Sequence, residues 1–83
     1  MATTQKELES WFNEGVKNGA THMIVVCDTY DWEDYPAYIY PAEDVRTEAE
    51  KYDGVNMQKI MEVYDLNKSK EAQIWGGKRV FNY

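Results

Sequence analysis

Leu8, Trp11, Phe12, Gly15 and Val16 fall three and four residues apart, which places them on one side of a helix. Thr4 and Glu7 stand ahead of them at capping-box spacing: the threonine side chain accepts from the third helical N–H and the glutamate reaches back to the cap. Asn18-Gly19 closes the segment, with Gly19 free to take the left-handed turn after a helix. The pattern then changes. His22–Thr29 is β-branched and almost continuously apolar, as in a strand covered on both faces. Met23, Val25 and Cys27 address one face, and His22, Ile24, Val26 and Asp28 the other. Pro36–Tyr40 alternates Ala37 and Ile39 with Tyr38 and Tyr40, and Pro36 suits only a strand start or an edge. The link between the two strands is short enough for a hairpin, though longer than a tight primed turn.

Pro41–Gly54 reads as a second helix, with acids in its first turns, where they complement the helix dipole, and a stripe of Val45, Ala49 and Tyr52. Asn56–Leu66 fits two periods. Met57, Ile60, Met61 and Tyr64 suit a helix, whereas Ile60, Glu62, Tyr64 and Leu66 alternate with Lys59, Met61, Val63 and Asp65 as in a strand. A strand over 59–66 is preferred, because three strands make a sounder sheet than a lone hairpin. Residues 67–75 form a short last helix stopped by Gly76-Gly77, and 78–83 run extended, packing Val80 and Phe81 on the core.

The order α-β-β-α-β-α over residues 1–83 predicts a single small α+β domain. Placing the most apolar strand in the centre gives a three-stranded antiparallel sheet in the order 2-1-3, with helices packed on it. A right-handed crossover puts the second helix on one face, and the first helix is expected on the same face.

Composition narrows the function. Eighty-three residues with 43% apolar content and three tryptophans fill one core. No apolar run approaches the roughly 20 residues of a membrane helix. The start MATTQKELES lacks the basic and apolar regions of a signal peptide, so a cytoplasmic address is expected. The net charge of −6 disfavours direct nucleic-acid binding. That charge is concentrated: residues 28–53 hold nine acids against two bases, a net −7. Such a segment is either a solvated face or one that steers toward a cationic partner.

The same residues bound the chemistry. Cys27 and His22 are five positions apart on one strand, which puts them on opposite faces and about 16 Å apart, so they form no dyad. One Cys and one His supply zinc poorly. The segment DTYDWED lacks the ligand order and the central glycine of a calcium loop. There is no glycine-rich phosphate loop and no nucleophile elbow. No catalytic residue, metal ligand or cofactor is therefore assigned. The stretch CDTYDWEDYPAYIY instead combines four acids with five large aromatics. Tyrosine and tryptophan favour interfaces, since each brings large area and a polar tip. Trp32 either folds back over the sheet or stands out as an anchor ringed by carboxylates. Tyr38 and Tyr40 either lie under a helix or form an open aromatic face.

The segments THMIVVCDTYDWEDYPAYIY and YDGVNMQKIMEVYDL resemble a group of small proteins found in bacteria and their phages. The resemblance runs over most of the chain and implies one compact domain. It brings no catalytic or binding residue with it. It also implies a phage-type role, in which a small acidic protein binds and blocks a host protein.

The leading expectation is a non-enzymatic binding protein for a partner with a basic surface, a host nucleic-acid-binding factor being one case. Tyr30, Trp32 and Tyr35 would be anchors, and Asp31, Glu33, Asp34, Glu43 and Asp44 the steering and rim charges. A second expectation is an oligomeric nucleotide or small-molecule binder, with Arg46, Lys59, Lys78 and Arg79 meeting phosphate. A third is a metal-assisted hydrolase built on the loop acids.

Overall fold

The structure, a computed structural model, describes residues 4–54, 57–76 and 79–83. Its elements are α1 (Gln5–Lys17), β1 (His22–Asp28), β2 (Glu33–Ile39), α2 (Val45–Glu50), β3 (Gln58–Asp65) and α3 (Lys70–Ile74). The strands form one antiparallel sheet in the order β2-β1-β3, the α+β arrangement that the hydrophobic pattern predicts. Lys78, Gly77 and Asn56, named above, lie outside the described residues.

Helix α1 starts at the expected capping box: the Glu7 N–H donates to Thr4 Oγ1 at 3.2 Å, and the Thr4 N–H to Glu7 Oε1 at 3.4 Å. Gly19 and Gly54 take positive φ after their helices, at 81° and 74°. Helix α2 is shorter than the span 41–54 predicts. The Glu43 carboxylate turns back to accept the Tyr40 N–H at 2.9 Å, and Asp44 accepts the Thr47 hydroxyl at 2.7 Å. Such acids offer the backbone an alternative to the first helical turn.

The sheet carries helices on both faces. On one, Leu8 and Phe12 of α1 and Ile74 of α3 meet Met23, Val25, Tyr64 and Leu66. Phe12 stands edge-on to Tyr64, with ring centroids 6.4 Å apart. On the other, Ala49 of α2, flanked by Val45 and Tyr52, meets Ile24, Val26, Ala37, Ile39 and Val63. The expectation that α1 and α2 share a face is thus wrong. Strand β1 is apolar on both sides, so covering one face alone would leave Met23 and Val25, or Ile24 and Val26, in water at about 1.5–3 kcal/mol each. Tyr38 lies under α1 and donates its hydroxyl to the Trp11 carbonyl at 2.8 Å, which rules out an open Tyr38–Tyr40 face. Val16, expected on the apolar stripe, is half exposed.

Strand β3 begins one residue earlier than predicted and contains a bulge. Val25 faces Glu62 and Val26 faces Ile60, so Met61 is an extra residue. The bulge shifts the alternation. Ile60 and Val63, three apart, both reach the α2 face, while Met61 and Tyr64 pack on the α1 side.

Each outer edge of the sheet is blunted. Along β3 the chain end returns: the Val63 N–H donates to Val80 O and the Asn82 N–H to Val63 O, both at 2.9 Å, around a parallel Val63–Phe81 bridge. Val80 packs on the core as expected, but Phe81 is half exposed. Along β2, the Ile39 carbonyl accepts from the Thr21 N–H. By alternation Pro36 then faces outward, where no ladder donor is needed. Among the described residues, no helix is long and apolar enough to cross a membrane.

Candidate functional site

The loop between β1 and β2, residues 29–32, is built by its own side chains. Asp28 Oδ1 accepts the Tyr30 N–H at 2.8 Å, and Asp31 Oδ1 accepts the Glu33 N–H at 3.1 Å. The Asp28 carbonyl accepts the Trp32 N–H at 2.7 Å. Thr29 ties the loop to β3, its backbone N–H and its hydroxyl both donating to the Met57 carbonyl at 2.7 Å. Asp28, at the end of β1, and Asp31 in the loop are therefore turn builders. Among the described residues, no three His, Cys, Asp or Glu side chains are grouped to hold a metal ion.

The chain reverses at Trp32, whose φ is 59°. A side chain in this left-handed region costs roughly 1–2 kcal/mol, and glycine or asparagine is the usual occupant. Trp32 is nonetheless 56% exposed and Tyr30 78% exposed. Trp32 does not fold into the core. The Lys59 ammonium stands 5.2 Å from the centre of its ring.

The eight residues marked in the sequence separate into three groups. Tyr30, Asp31, Trp32 and Glu33 are together at the tip, all exposed. Asp34 and Tyr35 follow on opposite faces of β2. Asp34 pairs in register with Cys27 on the α1 side. Tyr35 packs half-buried against the α2 core, hydrogen-bonded to the Gln58 amide. Glu43 and Asp44 lie beyond the other end of β2, about 20 Å from the tip along the strand. The geometry thus unites half of the marked set.

Lys59 is the residue of this site that the sequence did not connect to Trp32. It pairs with Cys27 across the sheet, so Asp34, Cys27 and Lys59 form one row on the α1 side. That row follows from the register of β3, which the bulge conceals in the sequence. Burial raises the Cys27 pKa, and the hydrogen bond and charge of Asp34 raise it further, so the thiol stays protonated. Farther along β3, the fully buried Tyr64 donates its hydroxyl to the Glu62 carboxylate. Burial raises Glu62 against the pull of that bond and of Arg79, and burial, then Glu62, raises Tyr64. The pair satisfies a buried hydroxyl.

Of the bases proposed to meet phosphate, Arg46 and Lys59 do not converge. Arg46 lies over the Tyr83 ring, 5.0 Å from its centre, beside α2, whereas Lys59 is on the α1 side of the sheet. Two open grooves exist elsewhere. The larger, about 530 Å³, is lined by polar residues of α1 with Trp75. The smaller, about 240 Å³, lies between α2, Ile60 and Tyr83. What the tip offers chemically is two exposed aromatics on a hydrogen-bonded loop, with carboxylates beside them in the chain and a cation over the Trp32 ring. Comparison with protein-family models, with curated proteins and with solved structures finds no match.

Proposed function

We propose that the protein is a non-enzymatic cytoplasmic binding module that docks its hairpin tip on the basic surface of another protein. The exposure of Tyr30 and Trp32 on a loop already fixed by its own hydrogen bonds carries this reading. Anchors held in place before contact lose little entropy on binding, which is what a small interface needs. The acids of residues 28–34 supply the rim and draw a cationic partner by long-range attraction. A nucleic-acid-binding factor of a bacterial host has such a surface, in keeping with the resemblance to small phage proteins. In this reading Tyr30, Asp31, Trp32 and Glu33 make the contact. Asp34 adds charge beside them, and Glu43 and Asp44 act only through the field.

The test is affinity capture from bacterial lysate at about 50 mM and about 500 mM salt, since exposed charges more than a Debye length apart are screened at the higher value. Bait is the wild type or a variant carrying both Tyr30→Ala and Trp32→Ala. Basic proteins held by the wild type at low salt, and lost at high salt and by the variant, are the expected result. Capture of the same proteins by both baits would remove the tip from the interface.

A further inference from the structure

The Trp32 ring is a cation-binding surface that is already in use. Lys59 Nζ lies 5.2 Å from its centre, within the range of a cation–π contact. Lys59 is exposed, so its stem can swing away without opening a cavity. The contact is weak for the same reason: exposed pairs of this kind contribute little and are readily exchanged. Trp32 is the one tip aromatic over which a cation stands among the described residues. Its backbone accepts a left-handed conformation there, and the carboxylates of Asp31 and Glu33 flank it in the chain.

We infer that Lys59 is an internal placeholder on Trp32, and that the partner's own lysine takes its place when the tip docks. The inference rests on the proposed function and adds the chemistry of the contact: a lysine-bearing segment, competing with a lysine of this chain for one aromatic ring. Lys59 thereby sets a threshold. Single lysines on passing proteins meet a ring already occupied, whereas a segment with several lysines gains the surrounding carboxylates as well and displaces it.

The probe is a lysine homopeptide, titrated calorimetrically at low salt into the wild type and the Lys59→Gln, Lys68→Gln and Trp32→Ala variants. Lys68 is an exposed turn residue, so Lys68→Gln makes the same change in net charge away from the tip. The expected result is binding that tightens about twofold to fivefold in Lys59→Gln, the size of an exposed cation–π contact. Lys68→Gln should show less of this gain, and Trp32→Ala should bind more weakly than the wild type. Combining Lys59→Gln with Trp32→Ala should abolish the gain. Equal tightening in Lys59→Gln and Lys68→Gln, with Trp32→Ala still impaired, overturns the placeholder and leaves the tip as the docking site. Binding unchanged by Trp32→Ala, or no binding by any variant, overturns both. A homopeptide of trimethyllysine, which keeps the charge but has no N–H to donate, should show the same Lys59→Gln gain, because ring capture needs the charge alone. Loss of the gain with that peptide overturns the ring as the contact.

Discussion

Gly15→Ala should destabilise the protein, although alanine is the better helix former. Gly15 is buried in α1, where an added Cβ would lie 2.7 Å from Leu66 Cδ1, 2.8 Å from Tyr38 Cε1 and 3.0 Å from Tyr38 Cδ1. Leu66 ends in a flexible side chain and can turn. Tyr38 cannot retreat, because its ring is fixed at one end to β2 and at the other by the bond from its hydroxyl to the Trp11 carbonyl. Relief requires α1 to lift from the sheet or that bond to break. Alanine gains about 1 kcal/mol in a helix interior. Overpacking costs about 1–3 kcal/mol, and a lost hydrogen bond about 1 more. The net is a loss of about 1–3 kcal/mol, or a Tm lower by roughly 4–24 °C in a chain of this size.

Urea unfolding followed by tryptophan fluorescence measures it, and the Tyr38→Ala background isolates the cause. With the ring gone, Gly15→Ala should become neutral or stabilising, a coupling of at least about 1–3 kcal/mol. Tyr38→Phe, which frees only the hydroxyl end, should move the value in the same direction by less. A stabilising Gly15→Ala in the wild type, or an equal effect in both backgrounds, would refute the close approach of α1 to β2.

Three further outcomes follow from particular contacts. The buried Gln73 makes four side-chain hydrogen bonds, with the Asp65 N–H and carbonyl, the Ser69 carbonyl and the Asn82 amide. Gln73→Ala should therefore cost about 2–3 kcal/mol and speed amide exchange at Asn82, and unchanged exchange there would deny the link between α3 and the chain end. Glu62 has a pKa raised by burial above 4.5, so the folded state binds its proton more tightly than the unfolded state does. Its contribution to stability therefore rises as pH falls from above the raised value toward 4.5. The wild type should gain on Glu62→Gln over that window, in matched unfolding curves, and a constant difference would contradict it. At Trp32, Trp32→Gly should be more stable than Trp32→Val by about 1 kcal/mol, since both lose the ring and only valine keeps the left-handed strain. Equal stabilities would place no strain at that turn.

The fold was legible where one local signal had one reading. The capping box at Thr4, the parity of His22–Asp28 and the apolar middle strand together specify a helix, a central strand and the order β2-β1-β3. The face taken by α1 was not legible, because its stripe states only that one side is buried. The choice follows from β1 having two apolar faces and α2, at six residues, being able to cover only one. The bulge at Met61 was hidden for a related reason: the alternation of residues 59–66 is regular, and only the demand that Ile60 and Val63 both reach the α2 core breaks it. Of the candidate site, the tip itself was legible from Tyr30 to Glu33. Tyr35 is half-buried against the α2 core through strand parity, which the pattern of β2 already contained.

The placement of Lys59 makes the clearest case for reading the tip as a site. Asp28 and Asp31 explain the shape of the turn without any ligand, and solubility explains the surplus of acid. Neither explains a tryptophan at a position that glycine fills at less cost, with most of its surface in water. The ring is kept there against roughly 1–2 kcal/mol of backbone strain, and the exposed contact with Lys59 is worth about 0.5–1 kcal/mol. Strain of this kind in a fixed loop is where binding residues are found. On the proposed reading the acids around it have a second role, selecting among partners by charge before the ring makes contact.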